Sequence, residues 1–312
     1  MAGPVQATHD YRPRSVFQNT SWRKNVLDPH RMTQLLIFGL GYTGPAIACA
    51  AEAAGLSVTA TSRSGAAGTI PFDAAEPAIS TATHLLTTAA PDHAGDPVLA
   101  RYAETITAAP NLRWIGYLSS TVVYGNRDGG WVDEDTPATP GQPRGQIRLD
   151  AETAWSRFAD RCAVDIFRLA GIYGPGRSAF DDLRAGRARR MEKPGHQFGR
   201  IHRDDIARAV VTAMRQDRPA GHRILNLADD EPSESAAVVT EAAALLRISP
   251  PPLVDFETAY PGMSPMARSF WAENRKVASA KTKAALRQDW LYPTYREGLR
   301  AILLEERGDR LP

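Results

Sequence analysis

Gly39-Leu40-Gly41-Tyr42-Thr43-Gly44 forms a G-x-G-x-x-G run, a pattern whose chemistry depends on what flanks it. Leu35-Leu36-Ile37-Phe38 before it is short and fully apolar, as a buried parallel strand is. Thr43 to Ala54 after it is Ala-rich and closes at Gly55, which reads as a helix with a glycine stop. Between strand and helix the glycines take separate roles. Gly39 permits the tight turn, Gly41 lets backbone approach a pyrophosphate, and Gly44 lets helix pack on strand. Exposed N–H groups at the helix start, around Tyr42 and Thr43, then hold the phosphates of a dinucleotide. That is the first functional expectation.

The end of the second strand, Ser57 to Thr61, bears on which dinucleotide. A carboxylate there accepts from both ribose hydroxyls of NAD, whereas a 2′-phosphate calls for a cation. The chain reads Thr61-Ser62-Arg63-Ser64, with no Asp or Glu in reach. Arg63 can pair bidentately with a phosphate, and the Ser62 and Ser64 hydroxyls can add donors. NADP(H) is therefore expected in preference to NAD(H). Further on, an apolar run from Leu112 to Leu118 ends in Ser119-Ser120-Thr121-Val122-Val123-Tyr124-Gly125. Hydroxyls at the carboxyl end of a parallel strand stand where open α/β sheets place ligands.

These residues need a scaffold. Strand-like runs at 35–38, 57–61, 84–88, 112–118 and 164–169 alternate with helical stretches at 43–54, 91–109 and 146–162. The spacing predicts an α/β fold, a Rossmann-like doubly wound parallel sheet. Beyond Gly171 the pattern loosens. Short helices are expected at 182–188 and 204–215, a strand at 223–227 and a helix at 234–246. After Pro250-Pro251-Pro252 come an extended piece near Phe270 and helices at 278–287 and 295–306. The division this implies is a Rossmann domain over 32–177, to which about 201–230 returns, and a smaller C-terminal substrate lobe over 178–312.

With four motifs in this order, residues 33 to 230 resemble the extended short-chain dehydrogenase/reductases, the group of NAD-dependent epimerase/dehydratases. The motifs are Gly39 to Gly44, Ser119 to Gly125, Arg168-Leu169-Ala170-Gly171-Ile172-Tyr173-Gly174-Pro175-Gly176, and Ile201-His202-Arg203-Asp204-Asp205-Ile206. The resemblance implies that Asp73 lies near the adenine and that Ala89-Ala90-Pro91 line the cofactor. It matches Ser120 to the family's catalytic Ser/Thr, with Thr121 and Tyr124 as neighbouring hydroxyls. The family's acid/base pair is a Tyr and a Lys one helical turn apart. Counted back from Glu152, those positions hold Arg144 and Arg148. Neither replaces a phenol, because guanidinium stays protonated. Arg148 can keep the ribose-binding half of the lysine's role. The chain thus resembles atypical members without the Tyr/Lys pair.

Composition limits the alternatives. The 312 residues are 43% hydrophobic and 23% charged, ordinary globular values, and 37 Lys+Arg against 35 Asp+Glu give a net charge of +2. No global basic field calls for nucleic acid or a membrane as partner. Cys49 and Cys162 are far apart, with no CxxC and no His cluster. That spacing argues against a disulfide scaffold or a thiolate metal site and for a reducing cytoplasm. Residues 1–31 carry net +3, three prolines and no period, and are expected to form a disordered extension. Residues 184–203 carry net +6; either they hold an anionic, nucleotide-linked substrate or they form a solvated basic turn. Ala267 to Lys276 either contacts substrate or forms an edge strand.

Two functions stay open. One is an NADP(H)-dependent oxidoreductase or epimerase-like enzyme on a polar or nucleotide-linked small molecule, acting as monomer or homodimer. The other is an NADP(H)-binding redox sensor or partner-binding module without turnover.

Overall fold

Leu35 to Phe38 are each almost wholly buried, because the strand they form meets protein on both faces. In β1 (Gln34–Phe38), Leu35 and Ile37 pack with Ala46, Ile47 and Ala50 of α1 (Gly44–Ala53) on one side. Leu36 and Phe38 join Val98, Tyr102 and Trp155 on the other. An apolar run without alternation is what a doubly covered strand requires. The computed structural model describes residues 33–66 and 68–308. The extension expected over 1–31 lies outside the described residues.

From α1 the chain passes through β2 (Ser57–Ser62), β3 (Ile70–Pro71) and α2 (Glu76–Thr81) to β4 (His84–Thr87). It continues through α3 (Pro97–Ala108), β5 (Trp114–Ser120), β6 (Trp131–Val132), α4 (Pro143–Ser156) and β7 (Ala163–Leu169). The central sheet has seven strands in the order β11-β7-β5-β4-β1-β2-β3, with β11 at Gly221–Leu227 and every pairing parallel. Strand order reverses between β1 and β4. In such sheets a crevice opens there, at the carboxyl ends of the strands. The doubly wound fold read from the alternation is the fold observed.

Between β7 and β11 lie β8 (Gly171–Tyr173), α5 (Ala179–Arg184), β9 (Arg190–Glu192), β10 (Arg200–His202) and α6 (Arg203–Met214). After β11 come α7 (Ser235–Leu246), β12 (Leu253–Asp255), α8 (Phe256–Ala259), α9 (Pro265–Trp271), β13 (Lys276–Val277), α10 (Ala280–Leu286) and α11 (Tyr295–Arg307). Three two-stranded pairs, β8 with β10, β9 with β12 and β6 with β13, stitch these segments over the crevice. Helix α6 packs on α1, whereas α5, α7 and α11 enclose a separate apolar cluster around Phe180, Tyr295 and Leu299.

Several boundaries differ from the sequence expectation. The helix expected from Pro91 starts at Pro97, because Asp92 and Gly95 close a tight turn. The Asp96 carboxylate then caps the helix, accepting from the Val98 and Leu99 N–H groups at 2.9 and 3.1 Å. The helix expected at 182–188 begins at Ala179, where Ser178 and Asp181 form a capping box, and Gly186 at φ +64° follows its end. The extended piece expected near Phe270 is α9, started by Ser264, whose hydroxyl accepts from the Ala267 N–H at 3.2 Å. The extended residues in that region are Lys276 and Val277.

Candidate functional site

The glycine loop joins β1 to α1 at the sheet's carboxyl edge. Gly39 takes φ +89°, which a side chain resists. Its carbonyl accepts from the Thr88 hydroxyl at 2.9 Å, tying the turn to the end of β4. A Cβ added at Gly44 would lie 2.9 Å from the Gly39 carbonyl oxygen and 3.0 Å from Leu40 Cδ2, so helix and turn touch there. At Gly41 the same Cβ would meet nothing within 4 Å. The space over Gly41 is open, and the first turn of α1 carries no acidic residue. Open backbone beside an uncontested positive helix end is a cradle suited to a pyrophosphate. The residues present fit a dinucleotide.

Tyr42 points elsewhere. Its hydroxyl donates to the Pro175 carbonyl at 3.0 Å, with Arg177 and Arg203 against its ring. Burial pushes its pKa up to about 12. The residue thereby fastens the glycine loop to the segment after β8. Thr43 is buried beneath the loop and lines the cleft.

At the end of β2, Arg63 is exposed and makes no ion pair among the described residues. Ser62 differs from the expectation that its hydroxyl donates to a phosphate. Thr69 gives its one hydroxyl hydrogen to the Ala66 carbonyl at 2.6 Å, so the hydrogen between Ser62 and Thr69, 2.7 Å apart, comes from Ser62. Ser62 also accepts from the Gly65 N–H at 3.0 Å. Its donor is spent inside the turn. Asp73 is exposed on a short 3₁₀ turn after β3. Ala89, Ala90 and Pro91 follow β4 at the switch point, Ala89 packing on the core and Ala90 exposed.

A cleft of about 730 Å³ runs from Thr43 and Thr88 past the end of β5 to α9. Ser120 and Thr121 line it. Ser120 caps the 3₁₀ turn Thr121–Tyr124, its Oγ accepting from the Val122 N–H at 3.3 Å. Ser119 donates to Glu152 Oε1 of α4 at 2.5 Å, and Glu152 pairs with Arg168 of β7 at 2.7 Å. This buried pair, which motif reading did not single out, fixes the strand end from beneath. Tyr124 is fully buried, donates to Asn226 Oδ1 at 2.8 Å, and lies with its ring 4.7 Å from the Arg168 guanidinium. Burial raises its pKa. It is not among the cleft's lining residues.

On α4, Arg144 and Arg148 both line the cleft. Arg148 Nη1 donates to the Leu118 carbonyl at 3.0 Å and lies 3.5 Å from the Tyr117 hydroxyl. Arg144 lies 5.1 Å over the Phe270 ring. The opposite wall is α9 and the loop after it: Ser269, Phe270, Trp271, Glu273 and Arg275. Of the region read as substrate contact or edge strand, residues 267–271 are helical and Lys276 begins β13, and the region walls the cleft. Asn274 pins this wall, accepting from the Arg127 and Gly129 N–H groups and donating to the Gly195 carbonyl. His202 caps α6, accepting from the Asp204 N–H at 3.2 Å, and burial pushes its pKa down to about 4.

A conserved protein of unknown function from Silicibacter pomeroyi DSS has the same fold, with a TM-score of 0.81 and 43% identity over 88% of this chain and 99% of its own. The human epimerase family protein SDR39U1 (isoform 2), solved with NADPH, shares the fold at a TM-score of 0.69 and 17% identity over 86% of this chain and 99% of its own. The chain has the fold of NAD-dependent epimerase/dehydratase proteins. Protein YeeZ of Escherichia coli K12 is 30% identical over 135 residues, which cover 43% of this chain and 47% of YeeZ. No family model matches. In this chain, α4 presents Arg144 and Arg148 on the cleft wall.

Proposed function

We propose that the chain binds NADP(H) in preference to NAD(H) and acts on a polar or nucleotide-linked small molecule as an oxidoreductase or epimerase-like enzyme. The supporting observation is that Thr43, beneath the open glycine loop, and Ser120 line one continuous cleft. Gly39, Gly41 and the first turn of α1 would hold the pyrophosphate. Arg63, exposed at the end of β2, would meet a 2′-phosphate. Arg148, already anchored on β5, would meet the ribose. The NADPH carried by human SDR39U1 is in keeping with this choice.

When bound, a nicotinamide supplies or accepts a hydride. What the chain adds is positioning. Ser120 offers a hydroxyl donor to a reacting carbonyl oxygen, and the buried Glu152–Arg168 pair keeps its strand end rigid. Among the described residues, the phenols nearest Ser120 and in the cleft are engaged elsewhere, since Tyr124 turns to Asn226 and Tyr173 turns its hydroxyl to the Thr294 carbonyl at 3.4 Å. Ser120, Thr121 or cleft water would then carry the reaction's proton.

The same engagement of the phenols favours the second reading, an NADP(H)-binding module without turnover. Titrating NADPH and NADH into the protein tests the cofactor; equal or reversed affinity removes the NADP(H) preference. NADPH oxidation with a panel of carbonyl compounds tests catalysis. Ser120→Ala should lower turnover by about 10² or more while NADPH affinity holds. Unchanged turnover in that variant, or none in the parent, puts the binding module ahead.

A further inference from the structure

The cleft is strongly cationic. Among the described residues, five arginines line it, Arg144, Arg148, Arg177, Arg200 and Arg275, against one carboxylate, Glu273. Three of them have positions fixed by the fold. Arg148 is bound to the Leu118 carbonyl, Arg200 donates to the Phe198 and Ser233 carbonyls, and Arg177 lies over Tyr42 beside the glycine loop. At the far end Arg275 pairs with Glu273 at 2.8 Å and donates to the Gly125 carbonyl at 3.1 Å, so that acid is already matched. Arg144 adds a further positive charge there, in the first turn of α4 and against the ring of Phe270.

That turn lies against the chain just after Ser120, since a Cβ at Gly145 would come 3.2 Å from the Val122 carbonyl oxygen. The remaining wall is apolar. Met191, Phe198, Phe270 and Trp271 line it, and Phe270 is 54% exposed. A cleft with excess positive charge and low-dielectric walls concentrates anions. A guanidinium recognises a carboxylate through paired, charge-assisted hydrogen bonds.

We propose that the substrate is a 2-hydroxy or 2-oxo acid with an apolar body, its carboxylate held by Arg144, its oxygen on the neighbouring carbon facing Ser120, and its body against Phe270 and Trp271. The proposal deepens the reading of the cleft as substrate site and rests on it. It also gives the solvent-facing Phe270 a ligand to cover.

Calorimetric titration of the full-length chain with 3-phenyllactate and with its uncharged amide tests the assignment, alongside NADPH titration of the same preparations. The acid should bind about tenfold or more tighter than the amide. Arg144→Gln should remove most of that preference with the melting temperature and NADPH affinity unchanged, and Arg144→Lys should restore part of it. Equal binding of acid and amide, binding of neither, or a preference untouched in Arg144→Gln overturns the proposal. A parent protein that prefers the acid yet ignores NADPH retains the anion site and loses the dinucleotide reading. One that binds NADPH but not the acid does the reverse.

Discussion

Gly41 and Gly44 stand three residues apart with opposite surroundings, and that contrast is testable. Gly41→Val should leave the melting temperature near the parent value and abolish dinucleotide binding, because its side chain enters open space over the loop. Gly44→Val should instead destabilise by about 1–3 kcal/mol, since its Cβ has the Gly39 carbonyl 2.9 Å away. Melting curves and cofactor titrations on both variants separate the two roles. Tyr124→Phe leaves the Asn226 side-chain carbonyl without its buried donor. It should cost about 1–3 kcal/mol of stability and change turnover less than Ser120→Ala does. Denaturant melts and steady-state rates read the two effects apart. The glycine turn is legible from sequence because a strand, a glycine spacing and a helix follow one another locally. The fate of the Ser62 hydroxyl is not, because it depends on which hydrogen Thr69 gives to Ala66.

Helix α4 and strand β7 are joined by one buried ion pair, and their packing depends on both members being present. Arg168 donates to both Glu152 oxygens, and Ser119 shares the carboxylate. Arg168→Met should cost about 3–5 kcal/mol, since it strands a buried carboxylate. Adding Glu152→Leu to that variant should recover much of the loss, as a double-mutant cycle by urea denaturation would show. Sequence pattern alone puts Glu152 on a helix and Arg168 on a strand. Their meeting follows from β5 and β7 lying side by side with α4 packed over them. Helix starts depart from the periodic expectation where local caps outweigh it, at Asp96, Ser178 and Ser264. Such caps act through one side chain and leave the apolar period unchanged.

At the scale of the whole molecule, Asp229 follows the edge strand β11 and is buried with neither side-chain oxygen hydrogen-bonded. Burial raises its pKa to about 8, with Arg200 opposing and Asp230 and Glu231 reinforcing the shift. The folded chain therefore keeps a proton that the unfolded chain, with an ordinary carboxyl near 3.8, has already released. Stability from this site is present at low pH and falls as pH rises through the window from about 4 to about 8. Asp229→Asn should stabilise at pH 8, do little at pH 4, and flatten the profile between. Urea denaturation of both proteins across that range checks it, and parallel profiles would refute it.

Local chemistry determined much about this chain before any fold was known. Apolar runs ending in glycine or hydroxyl residues point to a parallel α/β sheet, since doubly covered strands need such runs and short crossovers need turns. The glycine spacing marks a tight strand-to-helix turn, and Arg144 and Arg148 stand where the resemblance would put a Tyr/Lys pair. Only the tertiary structure decided what surrounds those positions. It engaged the hydroxyls of Tyr42, Tyr124 and Tyr173 with other parts of the fold and made α9 the far wall of the cleft. It also gathered Arg144, Arg148, Arg177, Arg200 and Arg275 from segments up to 131 residues apart in sequence. Periodicity reports which face of an element is buried. Which distant side chains share a cavity depends on strand order and crossover, and these are set by packing over the whole sheet.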